Sequence, residues 1–348
     1  MSGGSLPADI KRTSALRRVP SLEVIRFRSE FGGEGDICVF ELPRDAPPIT
    51  AAESPTGRMM TIVPGDVFLA TPGYRRARLW AVGGIPEGGL IPGNDYWMLS
   101  DSGVVGELIS HSSSQMGPLG RVRYLGAVCG DQGETLNIRQ FAVTAAAGPD
   151  HNAPLYLMLG TSSEVGKTTA GAGIVRTLRM KGHTTVIALK ATGTSSFTEL
   201  ARYLDHGAAE AFDCIDFGLP STYPVGRKGI SDILSKAVDF CLALPADAVV
   251  VECAGDPVSA NAPELLGCLK ARRADLKIIL AAADALGAMG AKQALAEMEL
   301  AISLITGPCT DTPTLREWTE ALCGIPAINM MHSADEGAQP NLSGVAAY

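Results

Sequence analysis

The stretch Gly-Thr-Ser-Ser-Glu-Val-Gly-Lys-Thr-Thr at 160–169 constrains this 348-residue chain more than any other. It follows a short apolar run, "LYLMLG", and opens a helix-like stretch through "AGAGIVRTLRMKG". A buried strand, a glycine-containing turn and a helix that begins at Gly-Lys-Thr together make a phosphate cradle. The first turn of a helix offers N–H groups without intrahelical partners and the positive end of the helix dipole. Gly160 and Gly166 permit a tight backbone path and a close ligand approach. Lys167 supplies a point charge for β- and γ-phosphates, and Thr168 a hydroxyl for Mg²⁺. The predicted cofactor loop is therefore Gly160, Thr161, Ser162, Ser163, Glu164, Val165, Gly166, Lys167, Thr168 and Thr169. Five residues separate Gly160 from Gly166, one more than the standard spacing, so the loop is a variant.

The rest of the chain falls into two kinds of periodicity. Residues 1–19 are polar and basic ("KRTSALRR") and read as a flexible arm. From 20 to 145, runs such as "DICVFEL", "GDVFLA", "RVRYLGAV" and "LNIRQFAV" are rich in β-branched and aromatic residues and separated by Pro/Gly turns. This predicts a smaller β-rich domain, a barrel or a sandwich. Residues 146–154 read as a linker. From 155 to 331, nearly continuous apolar strands alternate with helical stretches, which predicts an α/β domain with a mainly parallel sheet covered on both faces. "PAINM" is expected as its last strand, and 332–348 as a loose tail.

Composition excludes some classes. Hydrophobic residues make up 46% and charged residues 19%, enough apolar material for a sizeable core. The net charge of −8 disfavours a nucleic-acid partner, and no apolar run is long enough to span a membrane. Eight cysteines without zinc-ligand spacing suggest reduced thiols and a cytoplasmic protein.

Two further strand ends carry candidate chemistry. "LKATGTSS" places Lys190 at the end of the second strand of this domain, followed by Thr192, Gly193, Thr194 and Ser195. "VVVECAGD" places Glu252 at another strand end, opposite Thr168, where a carboxylate would bind Mg²⁺ directly or through water. Asp205, Asp213 and Asp216 are candidates for a second Mg²⁺-side ligand. The loop "GLPSTYPVGRKG" offers Arg227 and Lys228 as clamps for a substrate carboxylate or phosphate.

The loop Gly-Thr-x-x-x-Val-Gly-Lys-Thr resembles that of dethiobiotin synthetase and the related cobyrinic acid amide synthases. The resemblance matches Gly160, Thr161, Val165, Gly166, Lys167 and Thr168, and it extends to Lys190 and to Glu252 in "ECAGD", where Cys253 replaces the family's glycine. It implies a P-loop NTPase domain using ATP and Mg²⁺, with Lys167, Lys190 and Glu252 catalytic and Thr168 and Glu252 holding the metal. It implies Gly307 and Pro308 near the adenine and a homodimer. "ATGTS" also resembles the two-domain D-glutamate N-acetyltransferase-like proteins, whose P-loop domain is likewise C-terminal. Both resemblances cover roughly 155–330.

Three functions follow. One is ATP-dependent activation of a carboxylate or carbamate on a small-molecule substrate for C–N bond formation. The second is N-acyl transfer from an acyl-CoA held at the same loop. The third is a non-catalytic ATP-driven switch. No guanine-specific signature occurs, which favours ATP.

Overall fold

In the first half of the chain, the strands Cys38–Glu41 and Val67–Pro72 are buried on both faces along most of their length. The computed structural model describes residues 3–21, 24–76, 80–112, 117–144, 148–224, 228–273 and 276–330. The chain divides into two compact units. The first comprises residues 1–144, 194–198 and 213–224, and the second 145–193, 199–212 and 225–348.

The first unit contains β1 (Gly3–Pro7), β2 (Lys11–Arg12), β3 (Val24–Arg28), β4 (Cys38–Glu41), β5 (Ile49–Glu53), β6 (Met59–Ile62), β7 (Val67–Pro72), β8 (Arg75–Arg76), β9 (Ala81–Gly84), β10 (Asp95–Met98), β11 (Val104–His111) and β12 (Gly120–Cys129). Five of them pair in a ring. β4 joins β12 and β7, β7 joins β11 in parallel, and β10 joins both β11 and β12. Closure into a barrel removes the free edges that an open sheet would expose. Cys38, Phe40, Phe68, Ala70, Val122 and Tyr124 fill one core, with the Phe40 and Tyr124 ring centroids 5.4 Å apart. The alternate residues Val39 and Leu69 face a second core with Ile37, Ile138 and Ile215. The period of two thus places successive residues in two different cores.

Residues 3–19 are not a flexible arm. β1 pairs with β3, and Ala15 and Leu16 are fully buried in the second core. The basic residues that made the segment look solvated have partners far along the chain. Arg17 donates to Asp213 and Asp216 at 2.7 and 2.5 Å, and all three are nearly sealed from solvent. Residues 136–143 are also not a strand. The Asn137 side chain accepts from the Arg139 amide and caps a 3₁₀ turn, Ile138–Phe141. Such local bonding competes with a sheet ladder.

Glu53 is fully buried in this unit and accepts five hydrogen bonds. Its donors are Ser14 Oγ (2.7 Å), Ser196 Oγ (3.3 Å), the amides of Phe197 and Thr198 (both 2.9 Å) and Thr198 Oγ1 (2.6 Å). A carboxylate is favourable at a helix N-terminus, and a helix begins at Phe197. Glu53→Ala strands several buried donors, so it is expected to lower stability by about 3 kcal/mol or more. Urea unfolding checks this; an unchanged midpoint would refute it.

The second unit alternates strands and helices: β13 (Leu155–Gly160), α1 (Lys167–Met180), β14 (Val186–Lys190), α2 (Phe197–Asp205, whose first two residues group with the first unit), β15 (Glu210–Phe212), α3 (Ile230–Ala243), β16 (Ala248–Glu252), α4 (Ala262–Lys270), β17 (Lys277–Ala281), α5 (Ala285–Glu297), β18 (Ile302–Thr306) and α6 (Pro313–Cys323). All strand pairs are parallel, in the order β15-β14-β16-β13-β17-β18. Ile174, Val175 and Leu178 of α1 pack on Met158, Ala188 and Val250. Leu157, Leu189 and Val251, the alternate residues, are buried as well, so both sheet faces are covered. The expected last strand, "PAINM", is reduced to one bridge between Ile305 and Ala327. The linker's end at 148–154 joins this unit, with Asp150 paired to Arg273 at 2.6 Å. The tail 332–348 lies outside the described residues.

From β13 the chain moves to β14 on one side and later to β17 on the other. The order therefore reverses around β13. Ligands bind at the carboxyl ends of the strands at such a point.

Candidate functional site

Gly160 ends β13, and Gly166 caps α1 in the left-handed region with φ 87° and ψ 20°. Glu164 also has positive φ, 60°, so the loop contains two left-handed residues. A side chain at 160 would put Cβ 2.8 Å from Lys167 Cγ and Cδ. Glycine there lets Lys167 fold back across the loop, where its Nζ donates to the Ser162 carbonyl at 2.6 Å. Val165 is buried behind the loop, and Ser162 Oγ donates to the Ser163 carbonyl at 3.0 Å. Thr161 receives the Ala283 amide on its hydroxyl at 3.2 Å and donates its own amide to Ala281. Thr169 accepts from Arg202 at 2.9 Å.

Lys167 is 7% exposed. Burial pushes its ammonium pKa down; the Glu252 charge opposes that shift, and the nearby Lys190 charge adds to it. Thr168 Oγ1 donates to Glu252 Oε1 at 3.0 Å, and Tyr203 donates to Glu252 Oε2 at 2.6 Å. Glu252 is therefore held from both sides at the end of β16. Lys190 is its register partner on β14 and pairs with Glu199.

Thr192 Oγ1 accepts from the Ala254 amide at 2.9 Å, which ties the loops after β14 and β16 together. Gly193 has φ 103°, and a Cβ there would lie 2.7 Å from that of Ala254. The neighbouring Cys253 is buried, and burial pushes its thiol up to about 11, which disfavours the thiolate. Gly307 stands behind the loop: a Cβ would meet Val165 O at 3.0 Å and the Ala282 backbone at 2.9 Å. Pro308 follows it and is exposed, at the start of a 3₁₀ turn whose other two residues, Cys309 and Thr310, are buried.

The candidate run Thr192, Gly193, Thr194 and Ser195 does not stay together: its first two residues group with the second unit and its last two with the first. Thr194 bridges to Ser221, and Ser195 Oγ donates to Ser102 Oγ at 2.9 Å, all within the first unit. Asp213 and Asp216 are not metal-side ligands, because Arg17 neutralises them there. Asp205 is exposed at the end of α2, and Lys228 is exposed as well. Arg227 lies outside the described residues.

Tyr203 and Glu199 were not singled out by sequence. The one available signal was Gly171 inside α1. A Cβ at 171 would lie 2.4 Å from the Tyr203 hydroxyl. Helix propensity predicts that Gly171→Ala stabilises by about 1 kcal/mol. The clash predicts the opposite sign, a loss of about 1–3 kcal/mol. We expect the loss, and thermal unfolding decides.

No protein-family model and no curated protein matches the sequence. Among solved structures, part of the chain is similar to the signal recognition particle 54 kDa protein of Aeropyrum pernix K1 in complex with GDP. The identity is 18%, covering 51% of this chain and 41% of that one, with a TM-score of 0.35. A ParA family ATPase from Chlorobium tepidum TLS is 14% identical over 56% of this chain and 90% of its own, with a TM-score of 0.34. A DUF1611 family protein from Anabaena variabilis ATCC 29413 is 13% identical over 59% and 61%, with a TM-score of 0.40. This chain spans about two fifths of the signal recognition particle protein's length. The second unit has the P-loop NTPase fold, an assignment that rests on its own strand order and loop. Among the described residues, no helix is long and apolar enough to cross a membrane.

Proposed function

We propose that the second unit binds ATP with Mg²⁺ and transfers the γ-phosphoryl group to a carboxylate or carbamate of a small metabolite. The observation that carries this reading is the Thr168–Glu252–Tyr203 chain beside Lys167. A hydroxyl and a carboxylate 3.0 Å apart, next to a buried ammonium, fit a hard cation that takes most of its ligands from phosphate and water. Thr168 and Glu252 would hold the ion, which when bound neutralises charge between phosphate oxygens. Lys167 and the first-turn amides of α1 would cradle the phosphates. Lys190, on the strand next to Glu252, would face the acceptor. Transfer breaks the bond from phosphorus to the leaving oxygen of ADP and forms one to the acceptor oxygen. An amine nitrogen then displaces phosphate to form the C–N bond.

Calorimetry with ATP plus Mg²⁺, and separately with acetyl-CoA, tests this. Mg²⁺-dependent ATP binding is expected. Binding of acetyl-CoA without Mg²⁺, and none of ATP, would replace the proposal with acyl transfer.

A further inference from the structure

Glu199 and Tyr203 stand four residues apart on α2 and therefore share one helix face. Tyr203 donates to Glu252, and Glu199 pairs with Lys190, the register partner of Glu252. The two ends of the Lys190–Glu199 pair differ in exposure. The lysine side chain is 8% exposed and the glutamate side chain 37%. The cation is enclosed, and its partner stands at the rim.

An ammonium this enclosed is costly without an anion. Glu199 is the carboxylate that pairs with it here. Glu199 is in the first turn of α2, where a carboxylate is favourable even when it points to solvent. It can leave Lys190 by side-chain rotation, without unwinding the helix. Lys167 and Lys190 stand on either side of the Glu252 strand in the sheet, since Glu252 is on β16 between β13, which leads into Lys167, and β14, which ends at Lys190.

We propose that Glu199 is an internal counter-ion that occupies a ligand's anionic position on Lys190, and that the ligand binds by displacing it. This rests on the phosphate-site reading above. The ligand group has the chemistry of a carboxylate or phosphate oxygen. Two groups of the proposed reaction carry it: the terminal phosphate of the nucleotide and the carboxylate of the acceptor.

The sign of one measurement separates this from a structural role. If Glu199 competes with the ligand, Glu199→Gln tightens anion binding. If Glu199 only orients Lys190, the same change weakens it. The probes are AMP-PNP and ADP, each with Mg²⁺, and acetate added to the ADP-loaded protein. About fivefold tighter AMP-PNP with unchanged ADP is expected if the group is the terminal phosphate. Tighter acetate with both nucleotides unchanged assigns it to the acceptor carboxylate. In a Lys190→Met background the effect of Glu199→Gln should vanish. Unchanged or weaker binding of all three probes overturns the inference alone. Failure of the wild type to bind either nucleotide overturns the function reading and this inference with it. Should Glu199→Gln unfold, Glu199→Asp, which shortens the reach to Lys190, carries the same expectation.

Discussion

Lys167→Ala is expected to weaken ATP binding by about 100-fold or more. A buried charge-assisted hydrogen bond to phosphate is worth about 3 kcal/mol, and each 1.4 kcal/mol is about tenfold in affinity. The side chain is positioned for this. It is almost sealed from solvent and crosses the loop to the Ser162 carbonyl. Burial already lowers the pKa of its ammonium group, and Glu252 opposes that shift only in part, so phosphate would add counter-charge. Truncation to alanine also leaves a gap against Gly160, whose Cα side lies in contact with the lysine stem. Lys167→Met keeps the stem and removes only the charge. Titration of both variants should show the loss, with the methionine variant reporting the charge alone. If the methionine variant binds ATP like the wild type, the loop works by shape and the assignment of Lys167 is wrong.

The second large effect concerns Glu252 and Thr168. Glu252→Gln and Thr168→Val are each expected to remove most of the gain in affinity that Mg²⁺ gives. Hard cations require oxygen donors of high charge density, and glutamine is a far poorer one than glutamate. The measurement is the ratio of the Kd without Mg²⁺ to the Kd with it. For the wild type we expect about tenfold or more, and for either variant a ratio near one. Binding of Mg²⁺-free nucleotide should change little, because Lys167 and the loop remain. A variant that keeps the wild-type ratio would remove Thr168 or Glu252 from the metal site. Glu252→Gln preserves side-chain size, so Tyr203 can still donate to its carbonyl oxygen, and unfolding is not the expected outcome.

The strand, glycine-containing loop and helix around 160–169 were legible in the sequence because their determinants are local. Gly160 to Thr169 are contiguous, and each property they need is a property of a residue type: positive φ, a positive charge, a hydroxyl. The parallel sheet was legible for the same reason, since a strand buried on both faces reads as an unbroken apolar run. Lys190 and Glu252 could be placed at strand ends, and their register as partners follows from the strand order β14-β16. What these residues touch was not legible. Glu199 and Tyr203 reach the site from α2, and nothing in "SSFTELARYLD" marks them apart from an ordinary helix face.

The misreadings share one cause. The N-terminal segment looked like a solvated arm because four of its residues are basic, yet Arg17 is neutralised by Asp213 and Asp216, almost two hundred positions away. Thr194 and Ser195 looked like a continuation of the loop after β14, yet they pair with Ser221 and Ser102. Long-range pairing of polar groups leaves no periodicity, so a sequence pattern cannot show it.

By itself, then, the sequence determined the elements whose physics is short-range: the strand–loop–helix at 155–180, the alternation of strands and helices, and the apolar runs that must be covered. The tertiary structure alone decided that the β-rich strands close into a barrel, and that Glu53 binds the amides of Phe197 and Thr198. It also decided which groups flank Lys190 and Glu252. The last two outcomes depend on buried charges finding partners, where desolvation makes any unpaired alternative costly; barrel closure depends on strands pairing across large sequence separation.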